Sequence, residues 1–262
     1  MNKITIHVSL LIASLACGHA IACEQLQVSD SDFPDSLSKN SGSATGIAAA
    51  WYDGATDRYG HGVLGDAIEP SVLNVSDQSG CGFTVELDTD HVFEDIETRL
   101  ADIDKKPGVE VITIRSHQNK GAQLAIYALS KEKGLHLLAS TPYIGTSNRW
   151  LAPIGIADFD NNGSVDIAFV DRPHLAKVLR VWSYADGKLT QTASNPGYSN
   201  HRIGEDYISG GVRRCDGKAS MITADAYWDR VIETTLVNGK LVSRDLAPFE
   251  NRDSLTRALQ CE

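Results

Sequence analysis

The segment Ile156-Ala-Asp-Phe-Asp-Asn-Asn-Gly-Ser-Val-Asp-Ile-Ala-Phe-Val170 constrains the fold more than any other part of this chain. Asp158, Asp160, Asn162 and Asp166 place side-chain oxygens at alternate or near-alternate positions, with Gly163 at the bend. A tightly curled loop of this kind points its oxygens at one centre, and a hard cation such as calcium takes six to eight of them at about 2.3–2.6 Å. An EF-hand would finish on a bidentate glutamate at position 12 of the loop, between two helices. Here that position is Phe169, and the flanking runs are apolar and β-rich. The loop therefore reads as a cation-binding connection between two strands. Asp158, Asp160, Asn162 and Asp166 would coordinate through their side chains, with the Ser164 carbonyl adding to the shell. The competing reading is an ion-free Asx-rich turn, since Asp, Asn and Gly favour turns unaided. Three clustered carboxylates repel one another without a cation, which weighs against it.

The loop pattern Asp-x-Asp-x-Asn-Gly-x-x-Asp over 158–166 resembles the FG-GAP repeat of integrin alpha subunits and its bacterial relative, the VCBS repeat. That resemblance is specific over roughly residues 150–185. It implies a β-propeller blade in which the loop joins the first and second strands, one structural calcium site, and a task in recognition more often than in catalysis.

Used as a template, the segment finds weak copies of itself. Second strands read Val111-Ile-Thr-Ile-Arg115, Ile167-Ala-Phe-Val-Asp171 and Met221-Ile-Thr-Ala-Asp225, with Gly62-Val-Leu-Gly-Asp66 as a degenerate early copy. Their ends recur at roughly fifty residues, a period that suits four-stranded blades. Third strands alternate polar and apolar residues in 122–129, 177–184 and 230–237. Asp186-Gly187 and Asn238-Gly239 then sit between apolar runs, a strong hairpin signal because both central positions take positive φ. Helical patterning is confined to a short turn over 254–259. The expected fold is all-β: one domain, a small β-propeller-like arrangement of about four four-stranded blades over 46–250. A Ser/Asp/Gly-rich N-terminal arm at 23–45 would precede it and a C-terminal tail at 251–262 would follow. In the blade 2 copy of the metal loop, Asp102 and Asp104 persist but Lys105, Lys106 and Pro107 fill the rest, so an ammonium would stand in for the ion.

Residues 1–22 read as a secretory signal, with Lys3, an apolar run to Cys17, and Ala20-Ile21-Ala22 as the cleavage site. The run is too short for a spanning helix, and no later stretch approaches the ~20 apolar residues a transmembrane helix needs. The expected location is therefore exported, either periplasmic or secreted. A lipid anchor at Cys23 is the alternative, but Ala20 stands where such signals usually carry leucine. A net charge of −10 gives no electrostatic basis for gripping nucleic acid or an anionic membrane. Cys23, Cys81, Cys215 and Cys261 remain after signal removal, in an oxidising compartment. Of three connectivities, Cys23–Cys81 with Cys215–Cys261 is favoured, each pinning a tail to a neighbouring blade. The competing Cys23–Cys261 with Cys81–Cys215 would close a ring covalently.

The second-to-third-strand loops and the inter-blade connections share one face, and both are rich in cations and rings. They contribute Arg115, His117, Arg149, Trp150, Arg172, His174, His201, Arg202 and Trp228, expected to converge near a central channel. Arginines there would receive a carboxylate or phosphate, and the indoles would offer flat faces to a sugar. The bland reading pairs these arginines with Asp66, Asp171, Glu205 and Asp225 to staple blades together. Nucleophile-elbow, zinc-protease, Walker and Rossmann patterns are missing from the sequence. The functional expectation is a calcium-binding recognition module for a protein or glycan partner. The alternatives are an exported hydrolase or lyase working at the Arg/His-rich face, and an accessory domain with a broad apolar patch. An acid–base pair within one pocket would favour the enzyme.

Overall fold

A computed structural model describes residues 23–42, 45–215 and 217–261; the expected signal segment lies outside them. Strands form four antiparallel sheets in chain order. Blade 1 holds β1 (Phe33–Lys39), β2 (Ile47–Thr56), β3 (Glu69–Asp77) and β4 (Gly82–Glu86). Blade 2 holds β5 (His91–Phe93), β6 (Arg99–Ala101), β7 (Glu110–His117), β8 (Gly121–Ser130) and β9 (Gly134–Ser140). Blade 3 holds β10 (Leu151–Ala157), β11 (Asp166–Asp171), β12 (Val178–Ala185) and β13 (Lys188–Pro196). Blade 4 holds β14 (Tyr198–Ser199), β15 (Gly211–Cys215), β16 (Lys218–Asp225), β17 (Arg230–Val237) and β18 (Lys240–Pro248). A helix, α1 (Arg252–Leu259), follows.

Apolar second strands are explained by burial on both faces. Along β7, Val111 packs toward blade 1 while Ile112 and Ile114 pack toward blade 3, as the period-two pleat requires. Three apolar clusters fill the gaps between consecutive blades. Tyr52, Leu73 and Val75 meet Phe93 and Tyr127. Ile114 and Ile126 meet Trp150 and Phe169. Val170 and Leu179 meet Met221 and Leu236. The fourth cluster joins Ile222 and Val231 of blade 4 to Leu255 and Ala258 of α1. The second cluster also takes in Val63 and Leu64 from the β2–β3 connection of blade 1 and Ile208 from the inner loop of blade 4. Gly155 marks a close approach of blades 3 and 4. Its φ is +150°, and a Cβ there would stand 2.5 Å from Val212 Cγ2.

Several expectations are corrected. The supposed arm contributes β1, which pairs with β2 from Phe33↔Tyr52 to Lys39↔Ala49. Within β1 only Ser36 is buried, so the strand carries no apolar alternation and is held by backbone pairing. Gly62–Asp66 is no strand but part of the β2–β3 connection, with Gly62 and Gly65 at φ +60° and +102°, values an extended chain of L-residues does not adopt. Blades 2 and 4 split their innermost strand in two, because residues 94–98 and 200–210 loop out between the halves. The split in blade 2 is patched by buried Asp95, which accepts from Ile114 N at 3.0 Å and from Arg99 Nη1 at 2.8 Å. The tail forms α1 over residues 252–259, capped reciprocally by Asn251 and Ser254.

The favoured disulfide pairing is the one present, Cys23–Cys81 and Cys215–Cys261. A sulfur bound in a disulfide carries no lipid thioether, which counts against the anchor at Cys23. No helix among the described residues is long and apolar enough to cross a membrane.

Candidate metal loop and ligand-facing clusters

The loop between β10 and β11 curls as its sequence requires. Gly163 takes φ +80° and Asn161 +57°. The backbone nitrogens of Asn162 and Gly163 donate to the two oxygens of Asp158 at 3.0 and 2.8 Å, and Ser164 N donates to Asn162 Oδ1 at 2.7 Å. These bonds fix the acidic side chains over the loop centre. Asp158, Asp160 and Asp166 each bring a carboxylate oxygen within 4.8 Å of the others. Asp166, the first residue of β11, is fully buried; it accepts from Phe159 N at 3.3 Å and from the Ser183 hydroxyl. Burial, with Asp160 and Asp158 adding repulsion, raises its pKa. An all-oxygen, carboxylate-rich donor set of this kind fits a hard cation.

The β6–β7 loop of blade 2 repeats the geometry. Asp102, Asp104 and Glu110 also bring oxygens within 4.8 Å of one another. Glu110 accepts from Ile103 N at 2.8 Å, as Asp166 does from Phe159. Here Lys106 Nζ sits 2.6 Å from Asp104 Oδ2. Lys105 reaches across to blade 3 and donates to Ser164 Oγ at 3.1 Å.

The nine candidate ligand residues do not share one channel; they fall into three groups. The first lies under the central loops. Trp150 Nε1 donates to Glu94 O at 2.7 Å, and its ring meets His201 edge-on with centroids 5.0 Å apart. His174 Nε2 and His201 Nδ1 are 2.9 Å apart, and His201 Nε2 faces Glu205 O at 2.9 Å. Burial and the neighbouring His201 pull the His174 pKa down to about 4, so this pair is neutral at pH 7. Arg149 and Arg172 line the same small pocket with His61 and His174. Arg172 is held at 2.7 and 3.0 Å by Asp171 of its own blade, so it staples no neighbour. Beneath them His61 Nδ1 pairs with fully buried Glu94, which also accepts from Ser116 Oγ. Glu69 is nearby and 3% exposed, with Oε1 lacking a partner. Burial, then Glu94, pushes its pKa up to about 9.

The second group lies apart, in a cleft of about 520 Å³ between blades 1 and 2. Arg115 and His117 line it together with Asp90, His91, Lys120 and Tyr143, which sequence reasoning missed. His91 and Tyr143 are far apart in sequence and neither sits in a motif, so the chain alone offered no signal for them. The third group is peripheral: the Arg202 guanidinium lies 4.3 Å from the Trp228 ring centroid and 4.8 Å from that of Phe249. This stacking occupies Trp228 within the protein.

No family model and no curated protein sequence matches this chain. Among solved structures, it is similar to a protein described as selenium-binding from Sulfolobus tokodaii, with TM-score 0.45 and 10% identity over 82% of this chain and 53% of that one. It is also similar to a protein from Bacteroides fragilis NCTC 9343 named for 6-phosphogluconolactonase activity, with TM-score 0.37 and 16% identity over 80% of this chain and 57% of that one. The chain thus spans about half the length of these proteins. The blade architecture rests on the strand pairing of the chain itself.

Proposed function

We propose that this is an exported, calcium-stabilised recognition module related to the FG-GAP/VCBS repeats, binding a protein or glycan partner through the loops at one end of its blades. One observation carries the recognition reading. Ile68, Leu175, Ile203 and Tyr227 are 44%, 62%, 81% and 82% exposed, and all four lie on loops of blades 1, 3 and 4. Apolar side chains gathered on solvent-facing loops of a rigid scaffold suit a partner better than water. The metal loop at 158–166 supports calcium, and the two disulfides support an oxidising compartment.

The enzyme reading keeps support from the His61–Glu94 and His91–Asp90 pairs, each a histidine oriented by a carboxylate beside a pocket. One experiment separates the two. The mature chain, with calcium and then with chelator, is presented to panels of immobilised glycans and envelope proteins, and the bound partner is recovered for mass spectrometry. Recognition predicts capture of an intact partner, and loss of capture in the Leu175→Ser/Ile203→Ser/Tyr227→Ser variant. Equal capture by that variant would remove the loop face from the reading. A cleaved partner would replace recognition with hydrolysis or elimination.

A further inference from the structure

We propose that the cleft between blades 1 and 2 is a second, separate site that binds an acidic saccharide, with Arg115 receiving a uronate carboxylate and Tyr143 accepting from a ring hydroxyl. The cleft of about 520 Å³ falls within the usual range for small-ligand pockets.

Arg115 is the anchor. With the Gln123 amide nitrogen donating to Thr141 O at 3.1 Å, the amide oxygen accepts from Arg115 Nε and Nη2 at 2.7 Å each. Nη1 donates to Tyr127 OH at 3.3 Å. The guanidinium is thus fixed in place, yet it belongs to none of the ion pairs among the described residues. In a chain of net charge −10, Arg99, Arg172, Arg180 and Arg244 all have a carboxylate. A half-buried arginine held rigid without an acid is prepared for an anion from outside. Lys120 adds a second cation, its Nζ 5.5 Å from the Tyr143 ring centroid.

Asp90 lies in the cleft but is engaged by two histidines. Asn119 N donates to His117 Nδ1 at 2.9 Å, so the His117 hydrogen is on Nε2, directed at Asp90 Oδ2 3.2 Å away. That tautomer leaves His117 Nε2 no lone pair for a metal ion, which disfavours a metal on the Asp90–His91–His117 trio. His91 Nδ1 pairs with the other Asp90 oxygen, so His91 Nε2 accepts from Tyr143 OH at 2.7 Å. With its hydrogen committed inward and Arg115 already directed at its oxygen, Tyr143 offers a ligand one remaining lone pair, which suits an O–H donor of a sugar. Burial, opposed in part by Asp90, keeps the His91 pKa low and the ring neutral in this role. Glu86 and Asp88 also line the cleft, penalising densely charged phosphates and favouring a single carboxylate per ring.

The test is calorimetric titration of the mature, disulfide-bonded chain with galacturonate, glucuronate and alginate oligosaccharides. Their methyl esters and an oligoglutamate peptide are run in parallel. The expected result is binding of at least one uronate oligomer, weakened tenfold or more by esterification and by Arg115→Gln. Tyr143→Phe should weaken it about threefold to tenfold, and Lys120→Gln about threefold, with unfolding midpoints unchanged. Lys120 is exposed, so its variant reports on the cleft even if Arg115→Gln perturbs folding. Esters binding as well as acids, or the peptide binding more tightly than every saccharide, would overturn the proposal. So would full affinity in both Arg115→Gln and Lys120→Gln. Failure of all uronates while wild type still captures a partner through its loop face would sink this proposal alone.

Discussion

The β6–β7 loop of blade 2 and the β10–β11 loop of blade 3 hold the same place in consecutive blades and the same trio of carboxylates, yet they solve their repulsion differently. Blade 2 brings its own ammonium: Lys106 is a permanent counter-charge against Asp104. Blade 3 has Asn162 and Gly163 where blade 2 has Lys106 and Pro107, which removes the cation and opens the loop. A loop that carries its own ammonium needs no added ion, whereas the proposed calcium at the open loop would make stability depend on its surroundings. The two loops therefore share a carboxylate geometry while differing in what faces it.

The comparison breaks most readily at Asp160. Calcium at a hundred times its dissociation constant should add about 2.7 kcal/mol to wild-type stability. That is about 5–10 °C in the unfolding midpoint of a domain this size, and Asp160→Ala should abolish the gain. A shift that survives Asp160→Ala would place the ion elsewhere. Sharpening the contrast from the other side, Lys106→Asn should give blade 2 a cation site and raise calorimetric stoichiometry from one calcium to two. Without calcium it should change stability little, because the lysine is largely exposed and solvent screens its pair with Asp104. A one-site isotherm for this variant would mean that loop shape, not the ammonium, separates the two. Gly163→Ala meets open space but must keep φ +80°, so a loss of about 1 kcal/mol by urea titration is expected, from backbone strain alone.

The smallest effect concerns Glu110, whose pKa is raised chiefly by burial. A raised carboxyl contributes stability below its unfolded-state pKa and loses it as pH climbs through the folded value. Glu110→Gln should flatten the decline of stability as pH rises above 4.5, read from urea midpoints at several pH values in chelator.

Where the chain buries a strand on both faces, the sequence is easily read. Val111–Arg115, Ile167–Asp171 and the Asp-Gly and Asn-Gly hairpins all stand where their residues place them. The apolar inner strand β10 was legible beside its loop, but β1 was not, because it is held by backbone bonds and carries no apolar pattern. The split of blade 2 hides in residues 94–98, whose buried Glu94 and Asp95 resemble surface acids until Arg99, His61 and Ser116 are seen around them. The ligand-facing residues were legible as types but not as places. His117 and His174 follow equivalent second strands, yet His117 lines the cleft beside Asp90 and His174 turns to His201.

The two disulfides have a mechanical consequence. The first and last sheets carry the described ends of the chain, and segments near a chain end are where local opening starts unless they are tied down. Cys23–Cys81 fastens the leading segment to blade 1, and Cys215–Cys261 fastens the helix that covers blade 4. The cross-links are therefore end-stops: reducing them should leave the two central sheets protected in hydrogen exchange while both outer sheets fray.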